Sequence, residues 1–231
     1  QSLCQLRPRY AHALAEYHRL YEHKTRILRD REDNPGLLAM LPDFNERMCR
    51  VGAILIYYRA RYCRALEGYA APAHEDCSGG REKLTLGYET VKTVLDPFAK
   101  TEDIAQNLRE HQESHYHAEL ASGLCLSGPH KDDFIVEVNG RSARQFCSQG
   151  QVRTAALSLK LADREIHRSA VGEYPVMLLD DVLSELDDAR QTYLLTRIED
   201  KQTFVTTCDS AAFARTNGKL VFVDHGTVRE G

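Results

Sequence analysis

Larger apolar side chains recur along the first part of the chain at Tyr10, Leu14, Tyr17, Tyr21 and Leu28, with Lys24 interrupting the series. Steps of four and three residues bring side chains to one face of a helix, so a first helix is expected here. Asn34-Pro35-Gly36 supplies stop signals, and Leu37 to Leu41 reads as a short apolar connection. Asp43 then reads as an N-cap with Glu46 three residues on, close to a capping box. Beyond it Met48, Val51, Leu55, Tyr58, Tyr62, Ala65 and Tyr69 keep a three-four alternation. Each helix would run for about 26 residues, or about 40 Å at 1.5 Å per residue, and an antiparallel hairpin with facing seams is the simplest packing. Tyr10, Tyr17, Tyr21, Tyr57, Tyr58, Tyr62 and Tyr69 could stack nucleic-acid bases, but most fall on the seam and read as core.

The pattern changes after the hairpin. Ala70 to Arg81, with Pro72 and Ser78-Gly79-Gly80, reads as a linker, dividing a helical-hairpin arm, 1–80, from the remainder, 81–231. Lys83 to Glu89 reads as a strand, and Thr101 to Ser122 as a helix stopped by Gly123, with Glu102 and Asp103 in its first turn. Phe134, Val136 and Val138 alternate with their neighbours up to Asn139-Gly140, a hairpin-turn signal. Then helices over Gln149–Ser169, Asp188–Ile198 and a short stretch after Asp209 precede the apolar runs Val176–Leu179, Thr203–Thr206 and Leu220–Val223. Continuous apolar runs alternating with helices predict an α/β lobe whose parallel sheet is covered on both faces.

Composition alters this picture little. The chain has 231 residues, 42% hydrophobic and 28% charged, with a net charge of −4, which excludes a disordered or polycationic protein. Residues 1–70 hold 12 Lys and Arg against 8 Asp and Glu, so the first segment is mildly basic; a solvated helical surface and a phosphate-contacting face both fit that balance. Seven scattered cysteines with no C-x-x-C spacing argue against a disulfide framework and against a zinc finger. No apolar run is long enough to cross a bilayer and no leader pattern opens the chain, so a cytoplasmic protein without membrane contact is expected.

The densest chemistry lies in Pro175-Val176-Met177-Leu178-Leu179-Asp180-Asp181, a strand with two carboxylates at its C-terminal end. Ligands of open α/β sheets bind at that end. Strand alternation would divide the pair, with Asp180 holding Mg²⁺ and Asp181 polarising an attacking water; two loop aspartates after a core strand fit the same residues. Upstream, Ser148-Gln149-Gly150-Gln151 is a small polar turn opening a helix, where backbone N–H groups and a hydroxyl can meet a phosphate. His111 and His115 have the i,i+4 spacing of a zinc pair, joined by His117 and His130, but lack H-E-x-x-H and read as interfacial.

These segments resemble the motifs of ABC-type ATPases. Ser148 to Gln151 resembles the signature motif, with Gln149 where glycine is commoner; Val176 to Asp181 resembles Walker B; and Ser184-Glu185-Leu186-Asp187 resembles the D-loop. With Ser127-Gly128-Pro129-His130-Lys131-Asp132-Asp133, the run Phe146 to Lys160, and the opening Gln5-Leu6-Arg7-Pro8-Arg9-Tyr10, the chain resembles the RecF family of DNA-repair ATPases. The resemblance implies a mostly parallel ABC-type ATPase lobe with a helical-hairpin arm. It implies ATP and Mg²⁺ bound between two protomers, with Ser148, Gln149, Gly150 and Gln151 of one meeting the γ-phosphate held by the other. Asp181 would be catalytic, Asp180 would serve the metal, and Ser184, Glu185, Leu186 and Asp187 would form the D-loop. Thr207 and Cys208 stand at the switch position, where many ABC proteins have a histidine. Further implications are ATP-dependent binding to DNA at single-strand gaps, RecO- and RecR-like partners, recombinase loading and a place in the SOS response. No Gly-Lys-Ser/Thr tripeptide occurs in these residues, so the Walker A loop is missing from them and a C-terminal part of such a protein is expected. The alternative reading is that these residues alone are a non-catalytic module, a helical arm and signature lobe that bind DNA or a partner.

Overall fold

The computed structural model describes residues 1–199, 201–208 and 218–230, except for the side chain of Glu185. They form two compact units, Gln1–Gly68 with Thr85–Val136, and Tyr69–Leu84 with Glu137–Gly231. Composition suggests a single cut near residue 80, whereas the compact units interleave along the chain.

In the first unit, α1 (Ser2–Leu6) is followed by α2 (Pro8–Arg29), which Pro8 opens at a position where a missing N–H costs nothing. A 3-10 turn (Pro35–Met40) leads directly into α3 (Leu41–Cys77). Asp43 therefore lies inside the first turn of α3 and is not its cap, a correction to the sequence reading. Tyr10 meets the Tyr58 ring edge-on at 6.1 Å, Glu16 pairs with Arg47 at 2.9 Å and His23 lies against Phe44. Contact positions on α3 fall as those on α2 rise, so the two segments run antiparallel. Lys24, which breaks the apolar series, is fully buried and pairs at 2.7 Å with Glu119, also buried.

The seam of α3 needs a second correction. Met48, Val51 and Leu55 are buried as expected, but Ala65 and Tyr69 are exposed, and Ile56, Ala60, Cys63, Leu66 and Ala70 are buried instead. Around Val51–Ile56 the helix is covered on two sides. Val51 and Leu55 pack in the cluster with Tyr17 and Leu20, while Ala53 and Ile56 pack with Ile104 and Leu108. Past this point Ala60, Cys63, Leu66 and Ala70 carry the buried face, and Tyr57, Tyr58 and Tyr62 are half-buried at its margin. Nor is Ala70–Arg81 a linker, because α3 continues to Cys77 through the exposed Pro72. The proline removes one backbone hydrogen bond, and Ala70, His74 and Cys77, all buried on the other side of the helix, hold the last turns.

After β1 (Leu84–Glu89) comes α4 (Thr101–Ser122), stopped by Gly123 with φ +69° in the left-handed region. The segment 127–133 is then fastened residue by residue. The Ser127 hydroxyl meets His111 Nδ1 at 2.7 Å, His130 Nδ1 meets the Tyr17 hydroxyl at 2.8 Å, and Arg59 donates to the Pro129 carbonyl and to Asp132. Gly128 has φ +130°, and a Cβ there would run into the Tyr17 hydroxyl.

β2 (Asp133–Val138), which begins in the first unit and ends in the second, turns through Asn139-Gly140, both at positive φ, into β3 (Arg141–Ser142) of the second unit, and β1, β2 and β3 form one sheet in that order. Next come α5 (Ala143–Phe146), α6 (Gln149–Val171), β4 (Met177–Asp180), α7 (Asp188–Ile198) and β5 (Thr203–Thr206). β4 and β5 pair in parallel. The run at 220–223 departs from expectation: β6 (Val221–Asp224) pairs antiparallel with β7 (Thr227–Glu230) through His225-Gly226. Among the described residues β4–β5 is the one parallel pair formed by the apolar runs, and the helix expected after Asp209 lies outside them. Leu157, Leu161, Leu179, Leu183, Leu186, Leu194 and Ile198 make the core of this unit. Coverage of the parallel pair on both faces is not observed: Leu178 is 74% and Phe204 59% exposed.

Candidate functional site

Alternation along β4 sends Leu179 into the core and leaves Leu178 and Asp180 on the open face. In register, Leu178 stands opposite Phe204 and Asp180 opposite Thr206. The Thr206 hydroxyl donates to Asp180 Oδ1 at 2.5 Å. The same threonine receives the Asp181 N–H, at 3.1 Å to its carbonyl and 3.1 Å to its hydroxyl oxygen. Both carboxylate-bearing residues are thus tied to the end of the neighbouring strand. Thr206 is the residue that sequence reasoning missed here, although its place at the end of the next apolar run was a usable signal. Asp181 has φ +50°. It has left the strand for the left-handed region, so the division of the pair by strand alternation stops at Asp180 and does not apply to Asp181. Asp180 and Asp181 are both exposed.

The following segment is braced by the start of α7. Ser184, exposed, donates its hydroxyl hydrogen to the Asp181 carbonyl at 2.8 Å, and Leu186 is buried in the core. Asp187 caps α7 by accepting from the Arg190 N–H at 2.9 Å, and pairs with the Arg190 guanidinium at 2.8 Å. Gln191 donates to the carbonyls of Leu183 and Leu186. Glu185 sits in the 3-10 turn Leu183–Glu185. Past β5, Thr207 is half-buried and Cys208 exposed.

Ser148 is the N-cap of α6 in a complete capping box. Its Oγ accepts the Gln151 N–H at 3.3 Å, and Gln151 Oε1 accepts the Ser148 N–H at 3.0 Å. Gln149 and Gly150 occupy the first turn, where backbone N–H groups have no helical acceptor and the helix dipole favours an anion. Gly150 is half-buried, and a Cβ on it would lie 3.7 Å from Arg190 Nη1. Arg190 therefore spans from Asp187 to Gly150, joining two of the segments singled out in the sequence, and was not itself anticipated. Glu82 and His74, also unanticipated, lie beneath Gln151. Burial lowers the His74 pKa, against the opposing pull of Glu82.

The histidines do not assemble a metal site. His111 and His115 stack at 4.0 Å, His111 and His130 are hydrogen-bonded to Ser127 and Tyr17, and His117 lies edge-on to Tyr116. Among the described residues no group of three or more His, Cys, Asp or Glu could hold a metal ion. All seven cysteines are free. Among the described residues no helix is long and apolar enough to cross a membrane.

No family model matches the chain. It is 40% identical over 233 residues to the DNA replication and repair protein RecF of Listeria innocua, covering 98% of this chain and 58% of that protein. To the protein of the same name from Bacillus subtilis it is 38% identical over 228 residues, covering 98% and 59%. The chain thus spans about three fifths of the length of these curated relatives and corresponds to their C-terminal part. The solved structure of the recombination mediator protein RecF with ATPrS, in the RecFOR pathway, superposes with a TM-score of 0.86 at 29% identity, over 99% of this chain and 60% of that one. The structure of RecF with ATP gives 0.81 at 30% identity, over 96% and 58%.

Proposed function

Since the chain belongs to the RecF family, we propose that it carries the signature, Walker B and D-loop elements of an ATP-dependent DNA replication and repair protein. The observation that carries this reading is the pair Asp180 and Asp181, tied to Thr206 at the C-terminal end of a parallel strand, in the same compact unit as the capped, anion-ready N-terminus of α6. Oxygen donors at a strand end suit Mg²⁺, which binds through one or two carboxylates with phosphate and water making up the rest. Mg²⁺ brought in with ATP neutralises charge on the phosphate oxygens. Asp180, with Oδ1 engaged by Thr206, offers Oδ2 to the ion, directly or through water. Asp181 accepts a proton from the attacking water and orients it.

The first turn of α6 acts on the nucleotide of a second protomer. The Gln149 and Gly150 N–H groups and the Ser148 hydroxyl would donate to its γ-phosphate. Gln151, its amide engaged within the protein, supports Ser148. Ser184 and Leu186 shape the D-loop, and Thr207 and Cys208 occupy the switch position. The α2–α3 hairpin is the arm, whose basic surface meets DNA phosphates. ATP-driven dimerisation, binding at single-strand gaps, RecO- and RecR-like partners and recombinase loading complete the reading, with the SOS response and the cytoplasm as its setting.

The test is ATP turnover and ATP-driven association in a protein of the relatives' full length. Asp181→Asn removes the proton acceptor and keeps the shape, so turnover is expected to fall at least about a hundredfold while association persists. Unchanged turnover overturns the assignment.

A further inference from the structure

The side chains beneath the α6 N-terminus are wired beyond what a helix cap requires. Gln151 uses both ends of its amide: Oε1 accepts from the Ser148 N–H at 3.0 Å, and Nε2 donates to Glu82 Oε1 at 3.1 Å. The other Glu82 oxygen lies 3.1 Å from His74 Nε2. His74 is fully buried, and its Nδ1 lies 3.4 Å from the Ser158 hydroxyl, which donates to the Thr154 carbonyl one turn back on α6. A series therefore runs from the exposed motif into the interior: Ser148, Gln151, Glu82, His74. A capping box needs the first two alone. A glutamine amide at a helix start is free to change rotamer, but here a second acceptor holds its far end, and the other oxygen of that acceptor lies within ion-pair distance of a buried ring, without hydrogen-bond geometry. With Oγ accepting from Gln151 N–H, the Ser148 hydroxyl keeps its hydrogen to donate outward.

We propose that Glu82 is a positioning residue, oriented by His74, that holds the Gln151 amide and through it sets the orientation in which Ser148 meets a nucleotide phosphate. The proposal rests on the reading of 148–151 given above. Its chemistry predicts a swap. Gln151→Glu sets one carboxylate against another and breaks the series. Glu82→Gln combined with Gln151→Glu restores it, because carboxylate and amide have exchanged places, and a glutamate still accepts from the Ser148 N–H.

Amide exchange by NMR on the whole chain reads the hold on the motif, at the Gln151 and Val152 N–H groups that bond to Ser148. Glu82→Ala and Gln151→Glu are each expected to speed exchange there by about tenfold, with α4 unchanged, and the double swap to return to within about threefold of the wild type. No acceleration in Glu82→Ala, or no recovery in the swap, overturns the proposal. Should Glu82→Ala fail to fold, Gln151→Glu and the swap decide the matter alone, since both keep a polar group at every position. ATP-driven association of a full-length protein separates the proposal from the reading beneath it. If Ser148→Ala weakens association and Glu82→Ala does not, the positioning role falls. If the swap recovers exchange while no variant, Ser148→Ala included, alters association, the nucleotide reading of 148–151 falls and the hold of Glu82 on the motif stands.

Discussion

The two compact units differ in where their most conspicuous carboxylates lie, although each buries polar groups, His74 and Arg164 among them in the second. In the first, the charged and polar groups that stand out are inside: Lys24 against Glu119, Tyr17 against His130, and Asp132 held by Arg59 and Tyr88. Glu119 also accepts from Gln112 and from the Leu126 and Ser127 N–H groups, so its charge is fully met within the protein. In the second, Asp180, Asp181, Ser148 and Ser184 lie exposed, each engaged on one side only by its neighbours. Burial with the charge paired inside the protein marks a group whose work is to hold the fold. Exposure with part of the valence left over marks a group available to a ligand.

The sharpest way to break this contrast is to unpair the interior. Lys24→Met leaves Glu119 buried without its counter-ion and is expected to destabilise the chain by about 3–5 kcal/mol, measured as a shift of the urea midpoint. Adding Glu119→Gln should recover a large part of that loss, and no recovery would mean that the pair does not act as a pair. A smaller effect follows from acid. Burial lowers the pKa of His74, of His111, where His115 adds to the shift, and of His130. A folded pKa below the unfolded value of about 6.5 means that the unfolded chain binds the proton first, so stability is present above that pH and is lost as pH falls. The midpoint at pH 5.5 should therefore lie below that at pH 7.5, and an unchanged midpoint contradicts the account. Smallest is the exposed cap: Ser148→Ala is expected to cost about 1 kcal/mol in thermal unfolding.

Much of the framework around the candidate site could be read from sequence because its signals are local. Glu102, Asp103 and Gly123 bracket α4, and Asp187 with Asp188 marks the start of α7. Asp180 at the end of an apolar run needed nothing beyond the run itself. What escaped depends on distant partners or on small residues. Lys24 looked like an interruption because Glu119 lies far along the chain. The buried stripe of α3 was misdrawn because tyrosines announce themselves, whereas Ala60, Cys63 and Ala70 do not. The β6–β7 hairpin turns through His225-Gly226 at φ +45° and +76°, and histidine is a weaker turn signal than the asparagine of Asn139-Gly140. Glu82 and His74 had no motif to draw attention to them.

The left-handed backbone at Asp181 also bears on how this position can vary among descendants of the chain. A residue at φ +50° carries a conformational charge of about 1–2 kcal/mol unless it is glycine, asparagine or aspartate. Of these three, aspartate alone brings a carboxylate. Under the role proposed for Asp181, selection there would work through two successive filters, the backbone admitting a short alphabet and the reaction choosing within it, and a longer acid such as glutamate would have to bring a change in the turn along with it.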